Sequence, residues 1–276
     1  MPHLTDTDAL IHDPDGGVPR LLAIMARLRD PVTGCPWDIA QDFASIAPYT
    51  IEEAHEVADA IARGAWGELQ GELGDLLLQT VYHAQMGAEA GHFNFDGVVR
   101  GISDKMVARH PHVFGNESRD KTAEQQTADW EAIKAAERAN RAEARVLDGV
   151  AMGLPALTRA LKLQKRAARV GFDWPSTDQV LDKIVEEARE LVEARDTLTQ
   201  ADMADEFGDL MFVMVNLGRH LGLDAEGALR GANAKFTRRF GRIEDWLAER
   251  GATPGQSDLA EMDALWNRAK LEERQR

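Results

Sequence analysis

Glu52-Glu53-Ala54-His55-Glu56 and Glu72-Leu73-Gly74-Asp75-Leu76-Leu77-Leu78 are matched, 134 positions later, by Glu186-Glu187-Ala188-Arg189-Glu190 and Glu206-Phe207-Gly208-Asp209-Leu210-Met211-Phe212. The constant offset joins Glu53 to Glu187, Glu56 to Glu190, Glu72 to Glu206 and Asp75 to Asp209. Residues three apart share one face of an α-helix, so each copy reads as two helical arms carrying two acids apiece. Ala65-Trp66-Gly67 supplies the turn in the first copy, and the stretch from Asp196 to Asp202 supplies it in the second. Four carboxylates brought together repel and desolvate badly unless a cation neutralises them. An all-oxygen donor set selects a hard ion, Mg²⁺ first and Mn²⁺ as substitute. A di-iron bundle would place His three residues after Glu on two helices, and His stands at none of these positions. Acids beside the apolar runs after Asp75 and Asp209 are expected to enter a packed region, where unpaired charge is rare.

The duplication runs beyond the acids. Gly97, Arg100, Gly101, Lys105 and Arg109 precede Gly227, Arg230, Gly231, Lys235 and Arg239 by 130 positions. Trp130 and Lys134 precede Trp266 and Lys270 by 136, and Trp37 precedes Trp174 by 137. The unit is thus a Trp, an acidic hairpin, a basic helix and a terminal Trp. Lys105 with Arg109, and Lys235 with Arg239, stand four residues apart and project from one helical face. A Lys/Arg pair downstream of a hard-ion acid group suits a polyphosphate held between metal and cations. Trp130 and Trp266 suit either a base to stack on or a core gap to fill.

Helical periodicity dominates the chain. Helices are expected near 19–29, 48–63, 66–90, 96–109, 122–145, 155–169, 177–196, 200–221, 224–248 and 258–274, and no segment alternates as a strand does. The fold class is all-α, with two tandem homologous helical domains at 19–145 and 146–276 behind a disordered, Pro/Gly/Asp-rich lead-in at 1–18. The break at Gly153-Leu154-Pro155 lies close to the junction.

Composition bounds the partners. The 276 residues carry a formal net charge of −15, which argues against a nucleic acid polymer while leaving room for a small anion held through a metal. Cys35 is the single cysteine, so no internal disulfide forms and a reducing cytosol is expected. No apolar run reaches membrane-spanning length, and no P-loop, H-E-x-x-H or G-x-S-x-G is present. His55, His83, His110 and His112 read as packing or surface histidines.

Together these residues resemble the MazG nucleoside triphosphate pyrophosphohydrolases of the all-α NTP pyrophosphatase superfamily. The matching stretches include Cys35-Pro36-Trp37-Asp38, Arg109-His110-Pro111-His112-Val113-Phe114, Val170-Gly171-Phe172-Asp173-Trp174 and Asn233 to Phe240, beside both acidic hairpins. The resemblance implies Mg²⁺-dependent cleavage of a nucleoside triphosphate to the monophosphate and pyrophosphate, water attacking the α-phosphorus. It implies metal ligation by Glu187, Glu190, Glu206 and Asp209, and nucleotide contacts from Lys235, Arg239 and Trp266. Glu186 would accept a hydrogen bond from the attacking water or the substrate. The N-terminal counterparts are Glu53, Glu56, Glu72 and Asp75, with Lys105, Arg109 and Trp130. A cytoplasmic homodimer in nucleotide-pool house-cleaning is implied as well. The same residues also suit a nucleotide or alarmone sensor that binds without turnover.

Overall fold

The computed structural model describes residues 6–275 except 117, 119, 123–124, 127–128, 131–132 and 134–144. All regular elements among the described residues are helical. They are α1 (Asp6–Ile11), α2 (Gly17–Leu28), α3 (Pro36–Ala40), α4 (Phe43–Arg63), α5 (Trp66–Glu89), α6 (Phe95–Arg109), α7 (Pro111–Phe114), α8 (Ala156–Ala168), α9 (Thr177–Thr197), α10 (Gln200–His220), α11 (Ala225–Ala248), a 3₁₀ turn at Pro254–Gln256, and α12 (Leu259–Arg274). Two compact units divide the chain at Met1–Lys134 and Ala135–Arg276. Much of the helix expected over 122–145, and Lys134 with it, lies outside the described residues. No helix among the described residues is long and apolar enough to cross a membrane.

In unit 1, α4 and α5 form the acidic hairpin and α2 packs against α5. Met25, Ile46, Val81, Tyr82 and Met86 are buried together, with Leu21, Leu22, Leu78 and Phe95 against them. Gly64 ends α4 at φ 66°, a left-handed conformation in which a side chain is strained. Its N–H bonds to Ile61 O, and that of Ala65 bonds back to Ala60 O, so the last carbonyls of α4 are satisfied while the chain reverses. In unit 2 the α9–α10 hairpin turns differently. Thr199 caps α10 and exchanges hydrogen bonds with Asp202, so only Leu198 and Thr199 separate the helices, a tighter turn than the stretch from Asp196 to Asp202 suggests.

Two expectations are corrected here. The lead-in at 1–18 is not all disordered, because Asp6–Ile11 is helical. Asp8 pairs with Arg27 at 2.6 Å, and Arg20 Nε donates to Ile11 O at 2.9 Å. The acidic helix starts at Phe43 rather than near Pro48, so Pro48 lies inside it. A proline there removes a backbone bond and costs about 3 kcal/mol, more than the roughly 1 kcal/mol of an N-cap. The reciprocal Asp42–Ser45 cap is therefore helped by packing: Ile46 is 2% exposed, and the Phe43 ring stacks on His83 at 5.8 Å.

A second anchor ties α2 to the far end of α5. Arg29 grips both carboxylate oxygens of Glu89, with Nη2 2.7 Å from Oε2, and its guanidinium lies 5.5 Å from the Tyr82 ring centroid. Burial works against the Glu89 charge, but the Arg29 and Gln85 hydrogen bonds hold its carboxyl below the usual range. Glu89→Gln is expected to cost about 2 kcal/mol in urea unfolding at pH 7, because the arginine left behind is mostly buried. A depressed carboxyl stabilises above its unfolded value near ~4.3. The wild-type advantage should therefore vanish as pH falls through the folded value.

Candidate metal and nucleotide site

The helical arms bring three acids together in each unit. Carboxylate oxygens of Glu53, Glu56 and Glu72 lie within 4.8 Å of one another, as do those of Glu187, Glu190 and Glu206. Asp75 and Asp209 are not in these closest groups, yet each raises the proton affinity of its neighbours through its charge. Helical spacing sets the pairs within each arm, and hairpin closure sets the pairs across arms.

Crowding shows in the titration of the acids. Burial first, then the charges of Asp75 and Glu56, push the Glu53 carboxyl above its ordinary value. Glu72 rises from burial and from Glu56 and Asp75. Glu206 rises from burial and from Glu190, Glu187 and Asp209. A hard divalent cation suits such a crowded all-oxygen set, so the residues fit the metal that the sequence implies.

The two groups differ in one partner that the acid pattern does not include. Lys183 Nζ lies 2.7 Å from Glu187 and 2.9 Å from Glu186, one turn before them on α9. Glu187 is 5% exposed, and the Glu187 and Glu186 hydrogen bonds raise the affinity of Lys183 for its proton. At 134 positions earlier stands Tyr49, so the first group lacks this cation. A Lys four residues before the first ligand is the signal that marks it.

On the basic helices the cations have partners of their own. Arg239 pairs with Glu273 at 2.7 Å and lies 5.4 Å from the Trp266 centroid, while Phe236 packs on the same ring at 5.3 Å. Arg109 lies 5.6 Å from Trp130, which meets His110 edge-on at 5.0 Å. Among the described residues no hydrogen bond or ion pair joins Lys235, Arg239 or Trp266 to the acid group. His83 meets Thr50 Oγ1 at 3.1 Å, and burial lowers its pKa.

The expectation that the apolar neighbours of the acids are buried within the chain holds only in part: Leu76, Leu78, Leu210 and Met211 are half-buried, while others are exposed. Leu73 is 50% exposed and Phe207 55%, with Leu77, Phe212 and Met214 also exposed. A Cβ built at Gly71, Gly74 or Gly208 meets nothing within 4 Å. The face around the acids is thus open and lined with small and apolar residues.

At neutral pH, Mg²⁺ at a hundredfold excess over its dissociation constant is expected to raise the melting temperature by about 5–10 °C. Carboxyls with raised folded pKa destabilise the metal-free protein as pH rises through that range. The Mg²⁺ gain should therefore shrink as pH falls toward the ordinary glutamate value of about 4.3. Scanning calorimetry between pH 4.5 and 8 checks this, and a gain independent of pH would point away from these acids.

Comparison with known proteins gives two family-model matches and two relatives that span most of the chain. The family model for the MazG nucleotide pyrophosphohydrolase domain matches residues 41–114, and that for phosphoribosyl-ATP pyrophosphohydrolase matches residues 154–235. A nucleoside triphosphate pyrophosphohydrolase of Escherichia coli (strain K12) is 51% identical over 93% of this chain and 98% of its own length. A nucleoside triphosphate pyrophosphohydrolase/pyrophosphatase MazG of Thermotoga maritima is 40% identical, over 91% of this chain and 94% of its own.

Proposed function

Because this chain belongs to the MazG nucleotide pyrophosphohydrolase family, we propose that it is an enzyme converting a nucleoside triphosphate and water to the monophosphate and pyrophosphate. The observation that carries the reading is the C-terminal acid group on α9 and α10, three carboxylates within 4.8 Å beside a fourth. Glu187, Glu190, Glu206 and Asp209 would hold Mg²⁺, with Mn²⁺ as substitute. When bound, the ion supplies charge neutralisation on the phosphates and a water of lowered pKa. Glu186, exposed at the rim and tethered to Lys183, accepts a hydrogen bond from the attacking water and orients it toward the α-phosphorus. The new bond joins the water oxygen to that phosphorus; the α–β bridging oxygen leaves with pyrophosphate, and a proton is released.

Lys235 and Arg239 take up charge on the departing pyrophosphate, and Trp266 contacts the nucleotide. Among the described residues no hydrogen bond or ion pair joins these three to the acids, and the face around the acids is open and apolar. Both observations support a homodimer in which protomers pack on their acidic hairpins, completing each site. Domains 19–145 and 146–276 are then two copies of one unit. Glu53, Glu56, Glu72 and Asp75, with Lys105, Arg109 and Trp130, form an auxiliary site in the first. Removal of surplus or non-standard nucleotides in the cytoplasm fits this chemistry, with no nucleic acid polymer or membrane as partner.

Product analysis tests the reading. Pure protein incubated with each common NTP and dNTP is expected to release monophosphate and pyrophosphate in Mg²⁺ and nothing in EDTA. Diphosphate and phosphate as products would refute the bond assignment. Mg²⁺-dependent binding without turnover would favour a sensor instead.

A further inference from the structure

The two acid groups meet a divalent cation from different starting points. In unit 2 the ammonium of Lys183 spans Glu187 and Glu186, 2.7 Å from an oxygen of the first and 2.9 Å from one of the second. Lys183 stands on the same face of α9, four residues before Glu187 and three before Glu186, so the helix itself presents it to both. Glu187 is buried, and water screens a pair at such a position little. Among the described residues no other Lys, Arg or His pairs with Glu187, Glu190 or Glu206.

The matched position in unit 1 is Tyr49. Its ring is exposed and meets Trp37 edge-on at 6.4 Å, and it brings no charge to the acids four residues on. Among the described residues none of Glu53, Glu56 and Glu72 pairs with a Lys, Arg or His. Burial and the charges of their acidic neighbours push both Glu53 and Glu72 above the ordinary carboxyl value.

A divalent cation entering unit 2 either takes an oxygen of Glu187 from the ammonium or binds beside it and meets its repulsion. Both routes weaken binding, and neither cost arises in unit 1. Lys183 is 29% exposed, so solvent reduces the repulsion between its charge and a divalent ion to an effect of about tenfold on the dissociation constant.

We propose that Lys183 is the resident countercation of the C-terminal acid group, and that free divalent cation therefore fills unit 1 before unit 2. This rests on the reading of both acid groups as divalent-cation sites. It gives the two copies of one unit different metal responses: between the two dissociation constants, unit 1 is loaded while the ammonium still holds unit 2.

The test is titration of the full chain with Mg²⁺ by calorimetry, and with Mn²⁺ by electron paramagnetic resonance, in the absence of nucleotide. Wild type is expected to show two classes of site differing about tenfold in affinity. Glu56→Gln should remove the tighter class and Glu190→Gln the weaker. Lys183→Met keeps the length of the stem and removes the charge, so it should tighten the weaker class about tenfold and leave the tighter within about twofold. Tyr49→Lys should weaken the tighter class by a similar factor. Loss of the tighter class in Glu190→Gln, or no tightening in Lys183→Met, would overturn the proposal and leave the metal reading standing. Wild-type protein that takes up neither ion would overturn that reading and this proposal with it. Should Lys183→Met fail to fold, Tyr49→Lys decides alone, and unchanged affinity in that variant would overturn the proposal.

Discussion

Glu190→Gln is expected to lower kcat/KM for nucleoside triphosphates about a thousandfold while leaving the melting temperature of the metal-free protein unchanged or slightly raised. The carboxylate is exposed and belongs to a group whose oxygens lie within 4.8 Å of each other. Removing one charge relieves repulsion on Glu206, for which Glu190 is the largest charged contributor. Metal-free stability therefore has nothing to lose. If Glu190 is a metal ligand as proposed, turnover loses charge stabilisation in the transition state, an effect on the order of 10²–10³ for a single aimed group. Glu56→Gln provides the contrast. If the N-terminal group is auxiliary, that variant keeps most of its turnover. Single-turnover kinetics with saturating Mg²⁺ separates the two; wild-type rates in Glu190→Gln, or a collapse in Glu56→Gln, would reverse the ranking of the sites.

Met25→Ala is expected to destabilise unit 1 by about 3 kcal/mol. Met25 is 1% exposed and belongs to the cluster with Ile46, Val81, Tyr82 and Met86 that holds α2, α4 and α5 together. Truncation removes three heavy atoms from the side chain and leaves a cavity, and helix packing collapses only partly around such a gap. Ile46 on α4 and Val81 on α5 lie in the arms that carry Glu53, Glu56, Glu72 and Asp75, so looser packing there should also weaken metal binding by unit 1. Urea unfolding with and without Mg²⁺ reads both effects, and a loss below about 1 kcal/mol would mean that the cluster repacks.

The acid clusters of the candidate site are legible in the sequence. Four acids at helical spacing, twice, in one register, define which faces carry charge, and hairpin closure then has few ways to arrange them. Helix positions were legible for the same reason, since periodicity is local. Helix starts were less so. The Asp42–Ser45 cap and the stacking of Phe43 on His83 place Pro48 inside α4, where propensity alone would begin a helix. Lys183 has no counterpart in the first copy, where Tyr49 stands, so the shared pattern of the two copies does not mark it. The apolar runs beside the acids are covered only in part, with Leu77 and Phe212 exposed, because an apolar residue in a helix marks a face, and a face does not say which chain covers it.

The sequence by itself determined the all-α class, the duplication and the acid pattern of each hairpin, because each depends on spacing along one helix or on one repeated register. Only the tertiary structure decided that Lys183 reaches Glu187, that Gln164 is left with an unpaired acceptor, and that Tyr82 and Asn216, at matched positions, are both buried with different partners. Those depend on the volumes and directions of side chains drawn from separate segments, which meet only once the helices have packed.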